Sequence, residues 1–449
     1  MQRMPMFQLN FDDGSKGFFD SDSTTFFSGE KQKIKIEHFL PKKKVHDNRS
    51  SYTPTGLKKS LTPDFVRIVM GFKCNFHCKY CSQGLTDKYK GTSVTEAEKF
   101  ARRFCTIIQG EPRRFEFWGG EPLVYFKHLR VMFPILRKRF PDTIFSIITN
   151  GSLISREILD FLKKYETYVV FSHDGPGQYI RGEDPLENPQ KKALWLEYYE
   201  ASKSFKAKPP SVPFSFAATM TRKNCDLNKI MEFLHKNFAK DVPVFCEVVT
   251  AMGGIGKEDT FLETAFDKES LKKLQQNCYS NLVSEENDLC VGYSAFVQTF
   301  LAHTMYEDKN FGTSICGSDG ENKLFVKIDG TVMACQNSDV PPGFYGYLWD
   351  INKVRIPGST PMQERKSCSH CPLISLCKGA CPFMKGNDFA DSCEVKRSFY
   401  LPAFVFVVNQ TFRKKLVSIE GDFHYPIREV IQTKNGKYKQ TSRLEINCY

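Results

Sequence analysis

Phe65-Val66-Arg67-Ile68-Val69-Met70 reads as a short β-branched strand, and Gly71-Phe72-Lys73-Cys74-Asn75-Phe76-His77-Cys78-Lys79-Tyr80-Cys81 runs on from it as a loop with three cysteines. Outward from that stretch, short β-branched and aromatic runs alternate with amphipathic segments as far as about Val249. Strands are expected at Phe65 to Met70, Arg114 to Trp118, Thr143 to Ile148, Tyr168 to Ser172, Pro213 to Thr219 and Val242 to Val249. Helices are expected between them, near Thr95 to Ile107, Lys127 to Arg139, Ser155 to Lys164, Lys191 to Ser204 and Asp226 to Asn237. Six strand-then-helix units in succession imply an α/β fold with a parallel sheet and helices outside it. Right-handed crossovers curl such a sheet into a partial (β/α)6 TIM-like barrel, with reactive groups on loops at the carboxyl ends of the strands.

The chain has 449 residues, a length that suggests two or three domains at roughly 150 residues each. With 41% hydrophobic and 25% charged residues it is ordinary for a globular protein, which argues against wholesale disorder, collagen-like repeats and coiled coil. Residues 1–62 are expected to be a basic, irregular arm, since nine Lys or Arg between Lys31 and Lys59 face only Glu37 and Asp47. Residues 63–250 make the barrel, 251–311 a helical connector, 312–397 a Cys-, Gly- and Pro-rich domain stabilised by metal ligation, and 398–449 an extension with a hairpin at Asn435-Gly436. Apolar runs are short, Ala403 to Val408 being typical, so a membrane-spanning helix of roughly 20 apolar residues is not expected. The first thirty residues lack the charged start and apolar core of a secretory signal. Both points place the chain in a reducing cytoplasm.

Thiols in such a compartment are metal ligands or packing residues rather than disulfides. Of 16 cysteines, Cys74, Cys78 and Cys81 form one group, and Cys316, Cys335, Cys368, Cys371, Cys377, Cys381 and Cys393 form another; Cys105, Cys225, Cys246, Cys278, Cys290 and Cys448 are scattered and read as packing residues. Three thiolates on one short loop can hold three corners of a [4Fe-4S] cube and leave the fourth iron open to a ligand. The alternative is a structural zinc loop, but zinc wants a fourth ligand and His77, immediately before Cys78, is poorly placed to share its metal.

The Cys-x3-Cys-x-aromatic-Cys pattern after the first strand resembles the radical S-adenosylmethionine (SAM) superfamily, and further matches follow in order. Gly119-Gly120-Glu121-Pro122 after the second strand looks like the motif that fixes the methionine amino group. Thr149-Asn150-Gly151 after the third, and Ser172-His173-Asp174-Gly175 after the fourth, look like contacts to the ribose and methionine end. By the same resemblance Arg181 meets the carboxylate and Tyr80 lies beside the adenine. The chemistry implied is one-electron cleavage of SAM to a 5′-deoxyadenosyl radical, the cofactor carrying the reaction and the protein orienting and shielding it. A one-electron reductant such as flavodoxin or ferredoxin is the implied partner.

The later cysteines resemble the SPASM domain of peptide-modifying members, which carries two auxiliary [4Fe-4S] clusters. Carried over by position, Cys368, Cys371, Cys377 and Cys393 complete one, and Cys316, Cys335 and Cys381 hold the other. The alternative is a pair of zinc ribbons. No cysteine shortly precedes Cys316, so Cys290 or Cys278 folds back to serve or an iron is open. The residue after Cys335 is Gln336, where the sulfatase-maturing branch has an aspartate base; Gln336 cannot act as one. Formylglycine formation therefore drops well down.

The substrate is expected to be an aminoacyl group on a macromolecule, with hydrogen abstracted next to an amide or amine nitrogen. The first reading is maturation of a ribosomal peptide by cross-linking or epimerisation, although residues 1–62 show no leader-binding succession of strands and helices. Nearly level stands isomerisation of a glycyl adduct on thymidine in phage DNA, favoured by the net charge of +12 and by Lys31, Lys33, Lys35, Lys42-Lys43-Lys44, Arg49, Lys58 and Lys59 as phosphate contacts. A non-catalytic iron–sulfur electron carrier ranks below both.

Overall fold

The computed structural model describes residues 6–36, 58–81, 83, 91–206, 212–249, 263–284, 291–306, 315–318, 320–335, 345–356, 362–381, 383–426 and 438–448. Strands β1 (Met6–Phe11), β2 (Lys16–Asp20) and β3 (Thr25–Phe27) precede the barrel strands β4 (Phe65–Val69), β5 (Arg114–Trp118), β6 (Ile144–Thr149), β7 (Tyr168–Ser172), β8 (Phe214–Met220) and β9 (Val244–Val248). Helices α1 (Val94–Ile107), α2 (Phe126–Arg139), α3 (Arg156–Lys164), α4 (Pro189–Ser202) and α5 (Leu227–Asn237) connect the parallel strands. Every expected barrel strand and helix is present, with ends moved by two residues at most. Local chemistry fixes the starts: Ser93 and Glu96 cap α1 reciprocally, and Ser155, Asn188 and Asp226 cap α3, α4 and α5.

Strands β4 to β9 are parallel neighbours in chain order. Beyond β4 the sheet continues into β10 (Lys323–Lys327), parallel to it, and β11 (Val332–Met333), antiparallel to β10. Alternation sends Val66, Ile68, Phe115, Phe117, Phe145, Ile147, Phe171 and Phe216 to the helix-covered face, where all are buried. The opposite face carries Arg67, Glu116, Trp118, Ser146, Ser172, Thr219 and Glu247 in register. Polar strand residues there are paired: Arg67 Nε donates to Glu116 at 2.6 Å and Arg114 Nε to Ser146 Oγ at 2.9 Å.

Three expectations about the flanks are corrected. Instead of an irregular arm, β1, β2 and β3 join β12 (Leu416–Pro426) and β13 (Tyr438–Glu445) in an antiparallel sheet of order β13-β12-β1-β2-β3. Phe7, Leu9, Phe11 and Phe19 are its buried face, a period-2 pattern whose partner strand lies some four hundred residues away. Lys59 is not a surface contact either, because its ammonium is buried and donates to the carbonyls of Ser318 and Gly320, both at 2.8 Å. Finally, the 27-residue helix Gly386–Phe412 runs straight through the expected boundary at 397 and packs on the helices Lys268–Val283 and Val291–Tyr306. It is apolar on nearly all sides from Phe399 to Val408, so no amphipathic period announces it. β12 and β13 pair as the hairpin reading requires, while Asn435-Gly436, Lys42 to Lys44 and Arg49 lie outside the described residues. Among the described residues no helix is long and apolar enough to cross a membrane.

Candidate active site

At the carboxyl end of β4 the chain turns through Gly71 into the Cys74–Cys81 loop, and the Gly119-Gly120-Glu121 segment after β5 lies directly against it. The amides of Gly120 and Glu121 donate to the carbonyls of Gly71 and Lys73, each at 2.9 Å. A β-carbon on Gly119 would meet Gly71 O at 2.1 Å, and one on Gly120 would meet Lys73 O at 2.3 Å. Only glycine allows that approach, and Gly119 also has φ +123°. Pro122 opens a short 3-10 turn whose Tyr125 hydroxyl accepts from the Lys73 amide at 2.9 Å.

Glu121 is buried and accepts from Leu123 N at 2.9 Å, Thr149 Oγ1 at 2.7 Å and Asn150 N at 2.7 Å. Burial nonetheless pushes its carboxyl above the ordinary range. Asn150 carries the connection on, its Nδ2 donating to Asn75 Oδ1 at 3.0 Å and reaching Cys74 Sγ at 3.9 Å. The second and third strand-end motifs thus hold the cysteine loop in place. Burial raises the thiols of Cys74 and Cys78, the latter to about 12, and neighbouring thiolates add to it. Such a loop favours cationic metal over three anions alone.

Tyr80, Asp174 and Arg181 also come together, but they are bonded to one another. Tyr80 Oη donates to Asp174 Oδ2 at 2.5 Å, Arg181 Nη1 donates to Tyr80 Oη at 2.7 Å, and Thr219 N donates to Asp174 Oδ1 at 2.9 Å. Arg181 is buried against its charge, yet Tyr80 and Asp174 outweigh that and hold its pKa above normal. Its Nε is itself buried and has no partner among the described residues. Ser172 stands half-buried at the end of β7. His173, next to it, is a core residue: Nδ1 accepts from Gly175 N at 3.0 Å and Nε2 faces Asp184 at 2.9 Å.

Cys368, Cys371, Cys377 and Cys393 line one apolar cavity. Cys393 comes from the long helix, Cys368 and Cys377 from two short helical turns, Lys366–Ser369 and Ile374–Cys377, and Cys371 from the segment between those turns. Left-handed Lys378, Gly379 and Ala380 then swing the chain away, so that Cys381 turns to Cys316 instead. Cys335 is buried just after β11. Cys278 sits in the hydrophobic core and is not free to be a ligand, while Cys290 and Gln336 lie outside the described residues. Cys225, Cys246 and Cys448 are likewise buried core residues. Four thiols around one zinc stand about 3.8 Å apart. Among the described residues no three cysteine sulfurs approach within 4.8 Å of one another. Sequence reasoning did not identify Lys396, one turn beyond Cys393, whose ammonium meets Glu247 of β9 at 3.3 Å and ties the second thiol group to the open face of the barrel.

Residues 68–207 match the family model "Radical SAM superfamily". The chain is 22% identical over 345 residues to the radical SAM cyclopropyl synthase TigE of Paramaledivibacter caminithermalis, covering 70% of this chain and 67% of that one. It is 20% identical over 361 residues to a cysteine-type anaerobic sulfatase-maturating enzyme of Clostridium perfringens, covering 74% and 91%. The solved structure of native anSMEcpe with bound AdoMet and Cp18Cys peptide shares the fold at a TM-score of 0.54, with 19% identity over 78% of this chain and all of that one.

Proposed function

We propose that this chain, whose residues 68–207 match the radical SAM family model, modifies a ribosomally made peptide by abstracting hydrogen from a carbon next to a backbone nitrogen. The observation that carries the reading is the cysteine loop clamped at a strand end by Gly120, Glu121 and Asn150, with a four-thiol cavity joined to the barrel through Lys396 and Glu247.

Cys74, Cys78 and Cys81 would hold the [4Fe-4S] cluster that binds SAM. Cys368, Cys371, Cys377 and Cys393 would hold an auxiliary one, and Cys316, Cys335 and Cys381 a second. When bound, the cluster and SAM supply one-electron cleavage that yields a hydrogen-abstracting radical, given an electron from a flavodoxin- or ferredoxin-like donor. Glu121 fixes the loop against β6 by taking three donors at once. Arg181, kept charged by Tyr80 and Asp174, would meet a carboxylate such as that of methionine. Around the inner face, Arg67 neutralises Glu116 and Lys396 neutralises Glu247, so a peptide entering there meets paired charges rather than isolated ones. Free thiol ligands of this kind need a reducing compartment, in keeping with the cytoplasm.

A peptide substrate fits the similarity to a fold seen with a bound peptide. Isomerisation of a glycyl adduct on thymidine remains the second reading, supported by the net charge of +12 but weakened by burial of Lys59. The test is anaerobic reconstitution followed by dithionite and SAM. Release of 5′-deoxyadenosine and methionine is expected, and its loss in Cys74→Ala. Absence of cleavage in the parent overturns the enzyme reading. A mass change in glycyl-thymidine DNA, with none in any peptide encoded beside the gene, overturns the peptide reading.

A further inference from the structure

His370 lies inside the Cys368–Cys371 turn, yet its ring points away from the thiol cavity toward β12, where Asp422 and His424 stand two residues apart on one face of the strand. Among the described residues these three form the one group of His, Cys, Asp or Glu whose ligand atoms all lie within 4.8 Å of one another. Asp422 Oδ2 is 3.2 Å from His424 Nε2 and 3.5 Å from His370 Nδ1. The two imidazoles pack edge to face with ring centroids 4.4 Å apart.

We propose that His370, Asp422 and His424 form a binding site for a zinc ion. Zinc takes nitrogen and oxygen donors at about 2.0–2.2 Å, which puts neighbouring donors of a tetrahedral site about 3.4 Å apart. Both separations about Asp422 Oδ2 match that edge. Two imidazoles and one carboxylate also suit zinc over the harder calcium and magnesium, which prefer oxygen ligands throughout. The surroundings are those of a built site. Gln440 Nε2 donates to Asp422 Oδ1 at 2.8 Å and leaves Oδ2 turned to both rings, the outer contact that orients a ligating carboxylate. His424 is buried, whereas the Asp422 side chain is 48% exposed beside a groove that also takes in Gln440 and Ser442. That groove is an entry path and leaves room for water as a fourth ligand. With its proton on Nδ1, His370 donates to the Asp422 carbonyl at 3.0 Å; with the proton on Nε2, the Nδ1 lone pair is available to the ion. Zinc there pins the turn between two cluster thiols to the sheet built from both ends of the chain.

The site stands independently of the radical reading, and its test reads metal rather than turnover. Full-length protein reconstituted with iron and sulfide, then freed of excess metal, is titrated with Zn2+ against a chromophoric chelator while iron is measured alongside. One zinc per chain is expected with no loss of iron. Asp422→Asn and His424→Ala are expected to weaken binding at least about a hundredfold, and the outer Gln440→Ala about tenfold. Because Asp422 and Gln440 are exposed, their variants carry the test even if His424→Ala does not fold. No zinc uptake, uptake only in exchange for iron, or undiminished affinity in Asp422→Asn would each overturn the proposal.

Discussion

A β-carbon added to Gly120 would sit 2.3 Å from the carbonyl oxygen of Lys73 and 2.6 Å from that of Phe72. Backbone cannot swing aside as a flexible side chain can, so Gly120→Ala must displace the cysteine loop, at about 1–3 kcal/mol for overpacking of this kind. Its expected outcome is a protein that folds but takes up about four fewer irons per chain than the parent, four being one cube, measured after anaerobic reconstitution. Uptake equal to the parent's would show that the glycine pair does not position that loop. The motif around Gly120 was readable in the sequence; its mechanical part was not. Resemblance assigns the motif to the methionine amino group; the amides of Gly120 and Glu121 add a second part, bonding to the carbonyls of Gly71 and Lys73. Tyr80, Asp174 and Arg181 were likewise named singly. Their mutual bonds span separations of 94 and 101 residues, which no local spacing encodes.

Elements were legible where a period repeats and a neighbour lies close in sequence. β4 to β9 alternate, and each pairs with the strand one crossover away, so hydrophobic pattern alone sets their existence and order. β1 and β2 alternate just as well, through Phe7, Leu9, Phe11 and Phe19, but β1 joins them to the rest of their sheet only through the remote β12, and a basic stretch follows them in sequence. The charge of that following stretch masked the strands. Phe19 is fully buried, with Phe26, Phe404 and Phe300 at ring-centroid distances of 4.8, 5.2 and 5.9 Å. Truncating such a ring costs about 3–5 kcal/mol through lost burial and the cavity left behind. Phe19→Ala should therefore lower the denaturation midpoint clearly, as followed by circular dichroism. A midpoint equal to the parent's would restore the picture of a loose arm.

At the scale of the whole molecule, the expected division into a barrel and a separate cysteine-rich domain gives way to interlocked parts. β10 from the cysteine-rich segment extends the barrel sheet beside β4, and the helix carrying Cys393 continues past the expected boundary into the helical core. Contacts so remote in sequence leave no trace in composition, which is why the boundary at 397 fell inside a helix. The two thiol groups nevertheless come from different elements, since Cys74, Cys78 and Cys81 hang from β4 while Cys393 lies on the helix whose Lys396 bonds to Glu247 of β9. That separation makes a divided outcome the expected one. Three complete cubes would bring about twelve irons to the parent, and Cys393→Ala should lower the count by about four. SAM cleavage to 5′-deoxyadenosine should persist in the variant, because Cys393 touches none of the residues that hold the barrel loop, while modification of the substrate fails. Joint loss of iron at both centres and of SAM cleavage would mean that the interlocking, rather than the thiol, dominates. Circular dichroism of the same sample separates that case from simple unfolding.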